Sequence, residues 1–174
     1  MHKTGWSRQA GAMMLLLLGL LLLPALACAK GPGGGTVLVL GDSLSAAHNI
    51  PADAGWVSLL QQRVRQQSKT PPRIVNASMS GETTAGALTR LPGLLGREKP
   101  TVVVIALGGN DALRGLTPAQ VQGNLEKMVQ ASQKAGAKVL LLGIDVPPNY
   151  GPAYRQRLAA AYRALATQYK VPLL

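Results

Sequence analysis

Thr101-Val-Val-Val-Ile-Ala-Leu107 is apolar at every position after its first, and β-branched residues dominate it. A strand that alternates polar and apolar residues can leave one face in water. A strand without that alternation must be covered on both faces, which is the condition of a parallel sheet. Shorter runs of similar composition stand at Thr36 to Leu40, Arg73 to Ala77 and Lys138 to Leu142. Helical spacing fills the intervals. Trp56, Leu59, Leu60, Arg63 and Val64 mark one helix, and Leu88, Leu91 and Leu95 mark a second over about 83–95. Pro92 is expected to kink that second helix. Thr117-Pro118 opens a third with a cap residue and an early proline, and Ala135-Gly136 closes it. A last helix is predicted over 151–169, with Leu158, Tyr162 and Leu165 on one face. Strands alternating with helices of this length predict a three-layer α/β/α sandwich around a mainly parallel sheet. Val171-Pro-Leu-Leu174 reads as the start of a fifth strand, so the sequence is expected to be cut inside an element.

Ahead of Thr36 the composition changes. Lys3 and Arg8 precede an apolar run from Ala10 to Ala27 with eight leucines between Leu15 and Leu23, and Ala25-Leu26-Ala27 gives a small-x-small exit. A basic start, an apolar centre and such an exit predict a signal peptide over 1–27 and a periplasmic or secreted product. Retention of the run as an anchor is the alternative, because its length approaches that of a spanning helix. Cys28, the one cysteine, is a minority lipid-acceptor site, and it leaves no intrachain disulfide to hold the domain. Residues 28–35 include Lys-Gly-Pro-Gly-Gly-Gly and read as a linker, with the folded domain at 36–174.

Without residues 1–27 the chain carries sixteen basic residues against seven acids, a formal charge of +9. The basic residues are scattered along the sequence, with no Phe and few other aromatic residues among them. That argues against nucleic acid, whose grooves call for clustered charge and stacking platforms. Solubility and attraction to anionic surfaces, membrane headgroups included, suffice to explain the excess.

In open parallel sheets function gathers at the carboxyl ends of the strands. Three such ends are suggestive. They carry Gly41-Asp42-Ser43-Leu44-Ser45, Ser78-Met79-Ser80-Gly81-Glu82 and Gly108-Gly109-Asn110-Asp111. Each alone is an ordinary turn composition. Three at successive strand ends are a constellation.

These residues resemble the SGNH, or GDSL, hydrolases. The blocks of that family are Gly-Asp-Ser-Leu, a glycine after the second strand, Gly-x-Asn-Asp after the third, and a carboxyl-terminal Asp-x-x-His. The first three correspond in order to Gly41–Leu44, Gly81 and Gly108–Asp111. Val75-Asn-Ala-Ser-Met-Ser-Gly81, Leu91-Pro92 and Val146-Pro-Pro-Asn-Tyr-Gly151 are similar to the secreted thioesterase I, arylesterase and lysophospholipase branch, and the resemblance covers about 36–174. It implies a flavodoxin-like sheet and Ser43 as nucleophile. It also implies an oxyanion hole made of the Ser43 and Gly81 backbone amides and the Asn110 side chain. Asp42 and Asp111 would be loop-orienting acids, with Glu82 a helix-start charge. Small acyl esters or thioesters, lysophospholipids among them, are the implied substrates, with no metal or organic cofactor. The segment from Asp145 to Tyr154 is similar to one that borders the acyl pocket. Tyr150 is expected either in that wall or in the core.

A serine nucleophile needs a base within reach, normally a histidine. His2 falls in the expected signal peptide, and His48 matches no catalytic position of the family, so it is expected to be a surface residue. No Asp is followed three residues later by His. The His/Asp part of the triad is therefore expected to be absent from this chain, which leaves it weakly active or inactive. A catalytically inert lipid- or carbohydrate-binding module on the same scaffold is the rival reading. A nucleotide binder is the weakest, for want of a Gly-x-Gly-x-x-Gly or Walker pattern.

Overall fold

The computed structural model describes residues 34–174. Along them run β1 (Thr36–Gly41), α1 (Trp56–Gln67), β2 (Arg73–Asn76), α2 (Thr84–Glu98), β3 (Val102–Ala106), α3 (Gly109–Leu113), α4 (Pro118–Lys134), β4 (Lys138–Leu141) and α5 (Gly151–Tyr169). The expected signal peptide, Cys28 and nearly all of the linker lie outside the described residues.

The four strands are parallel in the order β2-β1-β3-β4, the flavodoxin-like order. Register keeps their ends level: Thr36 pairs with Arg73, Val37 with Val102, and Val102 with Lys138. The carboxyl ends of β1, β2 and β3 therefore open onto one rim. Beyond α5, Leu173 bridges in parallel to Leu141, and the Leu174 N–H donates to the Leu141 carbonyl at 3.0 Å. The last residues thus begin a fifth line beside β4, as expected.

Alternation along the strands sorts side chains between two faces. Leu38, Leu40, Val103, Ile105, Val139 and Leu141 are buried in the larger core, together with Leu91 of α2, Leu125 of α4 and Leu165 of α5. The opposite face carries Val39 and Val104 against Val57 of α1, with Leu140 and Leu142 only partly covered. Among the described residues α1 is the only α-helix packed on that side, which explains why β4 is the least buried of the inner strands there.

Pro92 lies inside α2, which continues through it to Glu98. Its ring is exposed while Leu91 is fully buried, so water can satisfy the carbonyl that the missing N–H leaves free. The loop after β3 winds into the short helix α3, which has no apolar period to announce it. Helix α4 starts as its sequence suggests: the Thr117 hydroxyl accepts from the Gln120 N–H and the Gln120 side chain accepts in return, a closed capping box.

Tyr162 ties α5 to the sheet. Its hydroxyl, almost fully buried, donates to the Leu107 carbonyl at 2.6 Å. The neighbouring Gly108 lies at φ +134, where an added Cβ would meet the Tyr162 hydroxyl at 2.3 Å. Only glycine leaves room for this bond. Burial, and after it the Asp111 carboxylate, push the phenol above its ordinary value of about 10. The folded state holds this proton more tightly than the unfolded chain does. Its contribution is complete below about pH 10 and is lost as pH rises further. Tyr162→Phe is expected to cost about 1 kcal/mol near neutral pH. It should also make the alkaline loss of stability shallower, as read from urea unfolding across about pH 8 to 11.

Candidate active site

The turn after β1 is built around Asp42, which is only 4% exposed. Its backbone carbonyl accepts from the Ser45 and Ala46 N–H groups, and its Oδ1 accepts from the Leu44 N–H at 3.0 Å. These bonds occupy the residues around Ser43 and bypass Ser43 itself. Among the described residues, neither the Ser43 N–H nor its hydroxyl makes a hydrogen bond, and the side chain is half-buried. The turn joins the second loop directly, because the Met79 N–H donates to the Gly41 carbonyl at 3.1 Å.

In the second loop Gly81 sits at φ +75, a left-handed conformation that favours glycine. Its carbonyl accepts from the Arg114 guanidinium at 3.0 Å, while its own N–H has no partner among the described residues. Glu82 does more than place a charge near the start of α2. Its carboxylate receives Arg90 through Nε at 2.9 Å and through Nη2 at 2.6 Å, and Arg90 also donates to the Ala77 carbonyl at 3.0 Å.

Asn110, in the first turn of α3, closes the constellation. Its Nδ2 donates to the Glu82 carbonyl at 3.0 Å and faces Asp42 Oδ2 at 3.5 Å. Both neighbours are acceptors, which fixes the amide nitrogen on this side. The first contact is a firm hydrogen bond. The second lies at the limit of one, so that N–H is only weakly held. One side chain thus touches the residue before Ser43 and the residue after Gly81. The three loops that the sequence singled out meet at Asn110, with two backbone amides without partners among the described residues and one side-chain amide of which one N–H is firmly bonded and the other weakly held. Such uncommitted donors on a fixed frame are what a developing oxyanion requires.

Asp111 stands behind this rim, fully buried. Its carboxylate accepts from the Thr84 N–H at 2.9 Å and from the Thr84 hydroxyl, and that hydroxyl accepts from Asn124 of α4 at 3.0 Å. A carboxylate on the first amide of α2 also suits the positive end of the helix. Asp111→Ala would leave Thr84 buried with its donors unsatisfied. A stability loss of about 3 kcal/mol is expected in urea denaturation. Thr84, Asn124, Arg90 and Arg114 carry no motif. Only the folded approach of the loops identifies them.

His48 is exposed, and only its backbone joins the turn, donating to the Ser43 carbonyl at 3.2 Å. Among the described residues no hydrogen bond connects its ring to Ser43. After β4, Tyr150 packs half-buried against the larger core, its ring 5.7 Å from that of Tyr154. Burial raises the Tyr154 phenol, whose hydroxyl donates to the Leu116 carbonyl at 2.7 Å. Asp145 lines an open cleft of about 520 Å³ with Ile144, Pro152, Arg155 and Leu174. Its carboxylate pairs with Arg155, which lowers its pKa from the ordinary carboxylate range. Neither this cleft nor a smaller one of about 200 Å³ behind Ser45 and Asn76 is lined by Ser43, Gly81 or Asn110. The candidate site is an open rim flanked by two hollows.

Comparison with known proteins gives the family and the fold. Residues 39–174 match the GDSL-like lipase/acylhydrolase family. The esterase TesA of Pseudomonas aeruginosa is 55% identical over 139 residues, 80% of this chain and 69% of that protein. Thioesterase 1/protease 1/lysophospholipase L1 of Escherichia coli K12 is 45% identical over 139 residues, 80% of this chain but only 65% of that protein. The crystal structure of TesA superposes with a TM-score of 0.76, covering 79% of this chain and 76% of that one at 55% identity.

Proposed function

Because the chain belongs to the GDSL-like lipase/acylhydrolase family, we propose that it provides the nucleophile and oxyanion hole of a hydrolase of carboxylic esters or thioesters. The observation that carries this reading is the juxtaposition at Asn110 Nδ2, within 3.5 Å of Asp42 and 3.0 Å of Glu82, beside two unengaged amides. Ser43 Oγ attacks the acyl carbon, and the carbonyl π electrons move onto the oxygen. That oxygen is received by the N–H groups of Ser43 and Gly81 and by the Asn110 amide. Collapse expels the alcohol or thiol and leaves an acyl-serine, which water hydrolyses. The relatives named esterase, thioesterase and lysophospholipase support small acyl esters as substrates, lysophospholipids included. Export to the periplasm or beyond rests on the basic start and apolar run of residues 1–27.

Each proton transfer needs a base; among the described residues the His48 ring makes no hydrogen bond to Ser43, and His2 falls in the expected signal peptide. The proposal therefore places the base outside these residues and makes the 174-residue chain a slow enzyme. Hydrolysis of p-nitrophenyl acyl esters tests it, with the chain as it stands and with an added carboxyl-terminal segment bearing an Asp-x-x-His block. The expected result is a gain of about 10³-fold or more on extension. A folded, extended protein that stays inert would favour the lipid- or carbohydrate-binding module instead.

A further inference from the structure

The basic residues scattered through the sequence gather in the fold. Strands and helices alternate, so α1, α2, α4 and α5 all run back to the edge of the sheet opposite Ser43. Their last turns and caps carry Arg65, Arg97, Lys99, Lys134 and Lys170 there. Register adds Arg73 and Lys138 where β2 and β4 begin. All seven are exposed. Glu98 shares this edge, occupied by Arg73 at 2.8 Å and Arg97 at 2.7 Å, and Glu126 on the α4 flank is occupied by the Tyr169 hydroxyl, beside Lys170, at 2.6 Å. Asp42, Glu82, Asp111 and Asp145 belong to the opposite rim, where each is buried or paired. Cations at helix carboxyl ends complement the helix dipole. That does not account for Arg73 and Lys138, which open strands.

The chain also enters the domain at this edge. The Gly35 carbonyl accepts from the Arg73 N–H at 2.9 Å, and the Thr36 carbonyl accepts from the Thr101 N–H at 2.8 Å. The preceding sequence, Lys30 and the apolar run from Ala10 to Ala27, is therefore joined to the middle of the basic edge. We propose that this edge is a docking surface for anionic lipid headgroups, which seats the domain on a membrane with the Ser43 rim turned away from it. A polybasic patch is the second signal that turns a marginal hydrophobic attachment into a stable one. Where the apolar run is removed, the patch acts alone and its hold is weaker and sensitive to salt. Nucleic acid offers the same charge, but the position of the apolar run favours a lipid surface. The inference is independent of what Ser43 does.

The test uses the full chain and phosphatidylcholine vesicles with and without phosphatidylglycerol. Lys99→Glu, Lys138→Glu and Lys170→Glu together are expected to lower the preference for anionic vesicles by about 100-fold, at roughly fivefold per surface cation. Reversing Lys127, Arg157 and Arg163 on the helix flanks makes the same change in net charge and is expected to cost less than about tenfold. Circular dichroism confirms that both triple variants are folded. Equal losses from the two sets would mean diffuse attraction and overturn the proposal. Orientation is read with Cys28→Ser combined with either Lys170→Cys or Leu113→Cys, labelled with an environment-sensitive dye. Brightening of the Lys170 label on anionic vesicles alone is expected. Brightening of the Leu113 label instead, or tighter retention on duplex DNA than on vesicles at equal phosphate, would overturn the assignment.

Discussion

Ser43→Ala is expected to abolish ester hydrolysis, with a fall of about 10⁴-fold or more in kcat for the extended chain and no change in fold. The chemical part follows from removing the atom that forms the acyl intermediate. The structural part follows from the turn, whose hydrogen bonds run through the Asp42 carbonyl and carboxylate and involve neither the Ser43 hydroxyl nor its N–H. A half-buried hydroxyl without a partner contributes little to stability, so a shift within about 0.5 kcal/mol is expected. Loss of activity with intact unfolding behaviour separates a nucleophile from a turn residue. A Ser43→Ala protein that retains turnover would place the chemistry elsewhere.

Asn110→Ala is expected to lower kcat by about 10² to 10³-fold while KM changes little. The ground-state carbonyl gains little from the weakly held N–H that faces Asp42, and the full charge of the oxyanion gains much. The substitution also removes the 3.0 Å bond to the Glu82 carbonyl. Arg114 continues to hold Gly81 and Arg90 continues to hold Glu82, so the loop keeps its place. Comparing kcat with KM distinguishes the two roles. A residue that merely supports the loop would raise KM and lower stability together, whereas a transition-state donor changes kcat alone.

The alternation of apolar strands and amphipathic helices was legible because a doubly covered strand such as β3 cannot tolerate polar residues on either face. The candidate site was legible for a related reason. Parallel register brings successive strand ends together, which made the loops after β1, β2 and β3 suspect; the choice of Ser43, Gly81 and Asn110 within them came from the family resemblance. The clamp of Arg90 and Arg114 was not legible, nor was the support that Thr84 and Asn124 give to Asp111. Those contacts join residues from 8 to 40 positions apart and depend on how the loops approach in space. The basic edge was hidden because charge that looks dispersed along the chain returns to one place each time a helix ends.

In the proposed reaction Ser43 carries the acyl group. Intact-protein mass spectrometry after incubation with a p-nitrophenyl acyl ester, followed by peptide mapping, tests it most directly, because slow deacylation without a base lets the adduct accumulate. One acyl group is expected on the peptide containing Ser43, absent from Ser43→Ala. Release of p-nitrophenol with no adduct on that peptide, or with an adduct that survives Ser43→Ala, would contradict it.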